Sequence, residues 1–214
     1  MGNEVSANFE LFNNAANNNQ QFIADELKRL LLPGARVLEI GSGSGQHAVH
    51  FVTQLKEVSW QPADKEPYFV VLERNLKSIS LAGLEKPIYL DVEQFTITKG
   101  FDAVFCANVI HIMSADLIPC MIAGVANLLD DGGLFILYGP YKYKGAFTTE
   151  SNEKFDGWLK LSDVRSGIRD IESIQAESDR YSLNLIEDIQ MPANNQLLVF
   201  RKASKGGDVS ASRF

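Results

Sequence analysis

Cysteine and histidine are scarce. Two cysteines, Cys106 and Cys120, and three histidines are all that 214 residues carry, with no CxxC pair and no carboxylate set beside the histidines at a metal-ligand spacing. That excludes a disulfide-stapled scaffold and a structural zinc site, so no metal centre is expected. Both cysteines read as buried thiols of a reducing compartment, and a cytoplasmic protein is expected. Positive charge is also in deficit: 20 Lys and Arg stand against 27 Asp and Glu, a net charge of -7. No basic stripe gathers along the chain, which argues against duplex nucleic acid as a partner. Long apolar runs are missing too. None approaches the roughly 20 residues of a membrane-spanning helix, so no membrane partner is expected. The stretch "MGNEVSANFELFNN" lacks the basic-then-apolar order of a secretion signal.

What the chain does have is an ordinary globular balance, 45% hydrophobic and 22% charged, enough for one domain with a sizeable core. Residues 1–12 and the polar, Gly/Ser-rich 204–214 read as loose ends around a single domain over 13–203. "NNAANNNQQFIADELKRLLLPG" places Phe22, Ile23, Leu27, Leu30 and Leu31 on one helical face and stops at Pro33-Gly34. Its asparagines are either a polar cap and loop or a lid over a ligand. Strands are expected at 36–40, 58–61, 88–90, 101–107 and 134–138, with amphipathic helices between them. This alternation predicts right-handed crossovers and a parallel, doubly wound sheet. The end breaks the rhythm. "LNLIEDIQ" and "QLLVFRK" are joined only by "MPANN", too short for a parallel crossover, so an antiparallel hairpin is expected there.

"VLEIGSGSGQHAVHF", residues 37–51, is the stretch with the most chemistry: a strand, a loop with three glycines, and the opening of a helix. A P-loop is excluded, because no Lys-Ser or Lys-Thr follows. A dinucleotide fingerprint fits Gly41 and Gly43 but meets Gln46 where its third glycine belongs, since Gly45 comes one place early. Glu39 adds a physical objection. At ~6 Å and an effective dielectric near ~20, each pairing of this carboxylate with a pyrophosphate charge costs about 3 kcal/mol. A cationic ligand gains from the same arrangement, and S-adenosylmethionine, with a sulfonium, an ammonium and no phosphate, is such a ligand.

The pattern "VLEIGSGSG" resembles motif I of the class I S-adenosylmethionine-dependent methyltransferases. The resemblance implies a Rossmann-like α/β fold with a seven-stranded, mostly parallel sheet and an antiparallel C-terminal hairpin, in agreement with the hairpin read from the sequence alone. It implies that S-adenosylmethionine lies against Glu39, Gly41, Ser42, Gly43 and Gly45. Asp64, ending "WQPAD", is implied at the ribose, Asp91 and Val92 of "YLDV" at the adenine edge, and Asn108 of "FDAVFCANVIHI" at the cleft. Taken singly, Asp64 and Asp91 read equally well as turn or cap residues. "GQHAVHF", "WQPAD", "NVIHI", "YGPY", "SNEKFD", "GIRD" and "MPANN" together look like a family of uncharacterised methyltransferase-like proteins, over roughly residues 15–201. Two places depart from that family: Asn17-Asn18-Asn19 lack an acid and a base, and Ser114-Ala115-Asp116 lack a tryptophan.

For the methyl acceptor, the long segment over about 140–168 is expected to build a substrate wall. If the resemblance holds, Tyr138, Tyr141, Asn152, Asp156, Arg169 and Asn194 converge over the methyl group, with His111 as base, hydrogen-bond donor or capping residue. The plainer alternatives are that Tyr141 and Phe155 pack the segment, Arg169 pairs with Asp170 or Asp156, and Asn194-Asn195 form the hairpin turn. His47 and His50 read as structural or cofactor-adjacent. Strand four lacks [DN]PP[YF], which lowers amide and nucleobase amino groups as acceptors. The expected substrate is a small polar molecule with Arg169 forking a carboxylate or phosphate, handled by a monomer or homodimer. A cofactor-binding sensor or partner subunit without turnover is the alternative, and a NAD-dependent oxidoreductase the weaker one.

Overall fold

A computed structural model describes residues 8–55, 57–97 and 100–204. Most of the expected loose N-terminus and nearly all of the polar tail lie outside the described residues.

The first helix, α1 (Asn14–Leu30), begins where Asn13 accepts hydrogen bonds on its side-chain oxygen from the amides of Ala15 and Ala16, at 2.8 and 3.2 Å. This cap satisfies two of the amide groups that a helix start leaves unpaired. The inner face is Gln20, Ile23, Ala24 and Leu27. Phe22, expected on that face, is 50% exposed, because it lies one residue, about a quarter-turn, from Ile23.

Seven strands form the main sheet: β1 (Arg36–Ile40), β2 (Ser59–Asp64), β3 (Ile88–Tyr89), β4 (Phe101–Ala107), β5 (Leu129–Gly139), β9 (Leu183–Met191) and β10 (Asn195–Lys202). Their order is β3-β2-β1-β4-β5-β10-β9, and β10 alone runs against its neighbours. The fold class and the antiparallel ending are as the sequence leads one to expect. Between the strands lie α2 (Gln46–Gln54), α3 (Tyr68–Leu76), α4 (Val109–Ile112), α5 (Ile118–Leu128), α6 (Glu150–Ser162) and α7 (Ile171–Asp179).

The strands alternate their side chains between two cores. Leu38, Val104, Phe135 and Leu198 meet α5 and α7 on one face, while Val37, Ala103, Ile136 and Val199 meet α1 and α2 on the other. Helices cover both faces, so the central strands are mostly apolar, with the buried Glu39 of β1 as an exception. Each fully buried Leu or Phe contributes roughly 2 kcal/mol. Cys106 is buried in the first of these cores; Cys120, expected to be buried, is exposed. Among the described residues no helix is long and apolar enough to cross a membrane.

The segment after β5 makes a second sheet of three short strands, β7 (Ala146–Phe147), β6 (Tyr141–Tyr143) and β8 (Arg169–Asp170), in that order, plus α6. Helix α6 spans the carboxyl edge of the main sheet. Near its start, Asn152 Nδ2 donates to the Asn194 carbonyl at 3.1 Å; just past its end, the Arg165 carbonyl accepts from the Ala115 amide at 3.0 Å.

Candidate functional site

Strands β1, β2 and β4 end beside one another, and the loop Gly41–Gly45 is laced to the end of β2. The amides of Gly41 and Ser42 donate to the Ala63 carbonyl, the Ala63 amide donates to Ser42 Oγ, and the Gly43 amide donates to Asp64 Oδ2 at 2.7 Å. Gly41 must be glycine. Its φ is +74°, and a Cβ there would stand 2.2 Å from Val109 Cγ2, so the close approach of α4 requires a bare Cα. Gly43, at φ +55°, faces open space on its Cβ side.

Two carboxylates lie under this loop. Asp64, 8% exposed, accepts from Gly43 on one oxygen and from the Lys65 amide on the other. Burial raises its pKa, against the two amide hydrogen bonds that hold it down. Glu39 is 1% exposed. Trp60 Nε1 donates to its Oε2 at 3.0 Å, and its Oε1 lies 3.7 Å from His47 Nδ1. Burial pushes Glu39 up to about 7, against the hydrogen bonds from Trp60 and Ser42. Among the described residues no Lys or Arg pairs with Glu39, which leaves a buried carboxylate without a permanent cation. Such a charge is costly until something positive approaches.

Further along the edge, Asp91 accepts from the Glu93 amide at 3.0 Å and stands 3.6 Å from Lys65 Nζ, with Val92 buried beside it. The Leu90 amide donates to the Asp64 carbonyl, which ties these two acids together. Asn108 ends β4 in the left-handed region at φ 62°, its amide on the Tyr138 carbonyl. The nine residues expected around a cofactor therefore share one edge, although Glu39 lies beneath the loop and not on its surface.

The acceptor candidates are brought near one another but are engaged within the protein. Arg169 departs most from expectation. Its fork donates to the carbonyls of Ile110 at 2.9 Å, Met113 at 2.6 Å and Arg165 at 3.1 Å, so it caps the end of α4 and pairs with neither Asp170 nor Asp156. An anion would have to compete with those carbonyls. Asp156 accepts from the Ile168 amide at 2.7 Å and from Lys160 Nζ at 2.6 Å. Asn152 donates to Thr148 Oγ1 and to the Asn194 carbonyl, while Asn194 (φ 60°) and Ala193 (φ 57°) form the hairpin turn. Tyr141 is fully buried in the core. His111 is 1% exposed, its ring 5.1 Å from that of Tyr141 and edge-on to it, and neither ring nitrogen has a partner. Burial drives His111 down to about 3, with the positive Arg169 adding to the effect, so the imidazole is neutral at pH 7.

One polar chain escaped the sequence reading. His47 Nε2 lies 2.8 Å from Asn19 Oδ1, and the Tyr138 hydroxyl bonds the side chains of both Asn19 and Asn195. Asn13 and Gln46 bond one another twice, at 2.5 and 3.2 Å, and Asn75 ties Glu10 to the Ser44 carbonyl. The asparagine run is thus cap and helix, stitched to the glycine loop. The sequence signal was there in Asn19, but its partners come from α2, β5 and β10. Two other cavities, of about 150 and 480 Å³, are lined by Leu31, Pro33 and neighbours at the opposite, amino end of the sheet.

Known proteins share this architecture. The pyocyanin biosynthetic protein PhzM superposes with a TM-score of 0.70 at 17% identity, covering 88% of this chain and 56% of its own. The mitomycin 7-O-methyltransferase MmcR gives 0.75 at 16%, covering 88% and 54%. This chain therefore spans little more than half the length of either. A chain from a complex that holds the Haloferax volcanii Trm112 methyltransferase activator gives 0.71 at 14%, covering 91% of this chain and 94% of its own. At such identities the likeness establishes a methyltransferase fold. The model of the family described as "Protein of unknown function (DUF938)" matches residues 10–202, nearly the whole of the described domain, and this chain belongs to that family.

Proposed function

We propose that this protein is an S-adenosylmethionine-dependent methyltransferase acting on a small, polar, uncharged acceptor. The observation that carries the reading is the buried, cation-free Glu39 under an open glycine loop. Structural neighbours support it, among them PigF with S-adenosylhomocysteine and NcsB1 with S-adenosylmethionine. The residues fit such a ligand. Gly43 leaves room where a side chain would intrude, and Glu39 and Asp64 are carboxyl groups whose ionised form favours a cation and disfavours a pyrophosphate.

In this reading Asp64 takes the ribose hydroxyls, Asp91 and Val92 flank the adenine, and Asn108 closes the methionine end. The bound cofactor supplies an already activated methyl group, so the chain's task is to align the acceptor and exclude water. Arg169 holds α4 in place. His111, neutral and unpartnered, offers ring nitrogens to hydrogen-bond an acceptor hydroxyl, while its burial keeps it a weak base. The engagement of Arg169 and Asp156 by protein groups turns the expected anionic acceptor into a neutral one. The same closure favours a second reading, a cofactor-binding sensor or partner subunit without turnover.

Calorimetry should detect S-adenosylmethionine and S-adenosylhomocysteine and not NAD; binding of NAD alone reverses the assignment. Incubation with methyl-labelled cofactor and a cell extract then separates the readings: label in a small-molecule fraction supports the enzyme, and tight binding with no transfer supports the sensor.

A further inference from the structure

The environment of Glu39 determines where a proton sits. His47 Nε2 faces Asn19 Oδ1, an acceptor, so Nε2 carries the ring hydrogen; the Asn19 amide group is turned to the Tyr138 hydroxyl. His47 Nδ1 therefore presents a lone pair toward Glu39 Oε1 across 3.7 Å. A lone pair facing an ionised carboxylate is repulsive, and at 3.7 Å, too long for a hydrogen bond, protonation of Glu39 relieves that repulsion. The other carboxyl oxygen is already fixed by Trp60. Stacking on Phe51 at 5.1 Å and an edge contact with Phe105 leave the His47 ring no other polar partner on those sides.

We propose that the buried Glu39 carries a proton before the cofactor binds, and that a cationic cofactor settling on the glycine loop expels it. The inference rests on the methyltransferase reading and extends it to the charge of the ligand. The Glu39 O–H bond breaks, its electron pair stays on the carboxylate, and the proton passes to buffer. An ammonium and a sulfonium nearby then replace it as counter-charge. Methyl transfer removes the sulfonium charge, so the demethylated product holds the carboxylate less firmly in its ionised form. Glu39 thereby senses which form of the cofactor is present.

Every neighbouring titratable group points the same way or is too remote to interfere. Asp64 on β2 raises Glu39, and Glu39 in turn raises the buried Cys106 thiol on β4. On α2, His50 lowers His47, and Lys28 and Asp25 of α1 act in opposite senses on His50. The Ala16 carbonyl favours the protonated ring, but burial outweighs it and lowers His47 to about 4, so the proton resides on Glu39, whose burial sets it near 7.

Trp60, bonded to Glu39, is a built-in reporter, and the only other tryptophan is the exposed Trp158. In a Trp158→Phe variant, Trp60 emission should titrate with a midpoint near 7, and S-adenosylmethionine should lower that midpoint by about one unit or more, S-adenosylhomocysteine by less. Glu39→Gln in the same background should abolish the titration. For the unsubstituted chain, calorimetry at pH 6.5 in two buffers of different ionisation enthalpy should show release of about half a proton per cofactor or more. Binding with no proton release and no midpoint shift overturns this inference and leaves the methyltransferase reading standing. Titration of Trp60 without any cofactor binding overturns the methyltransferase reading, and this inference with it.

Discussion

The two halves of the carboxyl edge are built to opposite rules. Under the glycine loop, Glu39 and Asp64 are buried carboxylates, Glu39 without a permanent cation, and Gly43 opens onto space. Across the edge, Arg169, Asp156 and Asn152 are equally polar, but each is paired with protein groups, and His111 and Tyr141 are sealed among them. Unspent charge marks a surface prepared for a ligand, because burying it without one costs free energy. Paired groups such as Arg169, Asp156 and Asn152 mark a wall that holds its own shape, with His111 and the Tyr141 hydroxyl buried unpartnered among them. The comparison separates groups that meet the cofactor from groups that position the segment around the acceptor.

The largest effect should come from breaking the open half. Gly41→Ala places a methyl 2.2 Å from Val109 Cγ2 at a φ of +74°. The left-handed backbone alone costs about 1–2 kcal/mol, and the clash must push α4 off the loop. Cofactor affinity should fall below detection in calorimetry, with a lower melting temperature. Retention of wild-type affinity would mean the ligand does not lie against this loop.

Next comes the buried carboxylate itself. Glu39 sits near 7 in the folded protein and in the ordinary carboxylate range, near 4.5, when unfolded. A raised folded value means the folded state binds the proton more tightly. Stability is therefore greatest below about 4.5, declines as pH rises toward 7, and is flat above, for a total of about 3 kcal/mol. Glu39→Gln should remove that slope, so the variant melts higher than the parent at pH 8 and the gap closes toward pH 5. Parallel curves across that range would show that another group carries the charge.

In the closed half, Arg169→Lys keeps the charge and loses the fork that caps α4. The expected cost is about 2 kcal/mol, a fall of about 4–8 °C in melting temperature, with cofactor affinity unchanged. A normal melting temperature combined with selective loss of acceptor use would return Arg169 to the role of substrate fork.

How much of this was legible in the sequence follows the same division. The open half is local: strand, glycines and helix opening occupy residues 36–54 in unbroken order, and β1 and β4 have the expected bounds. The β9–β10 hairpin was readable because five residues permit only one connection. The closed half is assembled from distant pieces. Strands β6, β7 and β8 have two or three residues each, too few to show a period. Arg169 reads as an anion fork because the carbonyls it caps belong to α4, a single turn some 60 residues earlier that no pattern announces. Glu39 was legible as a charge, but Trp60 and His47 meet it only once β2 and α2 have packed.

The smallest effect tests how firmly that closed wall is held. Asn152 Nδ2 bonds Thr148 Oγ1 at 2.8 Å and the Asn194 carbonyl at 3.1 Å, joining α6 to a turn that holds Ala193 and Asn194 at positive φ. Asn152→Ala removes both bonds and leaves the Asn194 carbonyl to find water. Two neutral hydrogen bonds, one of them to an exposed turn, are worth about 1–2 kcal/mol together, and the helix propensity of alanine returns part of that. The melting temperature should drop by only a few degrees, while hydrogen exchange in residues 146–162 should quicken well beyond that in the main sheet. The glycine loop lies on the far side of β4, so cofactor affinity should hold. Equal quickening in both regions would show that α6 and the sheet open as one unit, and that the edge has no separable halves.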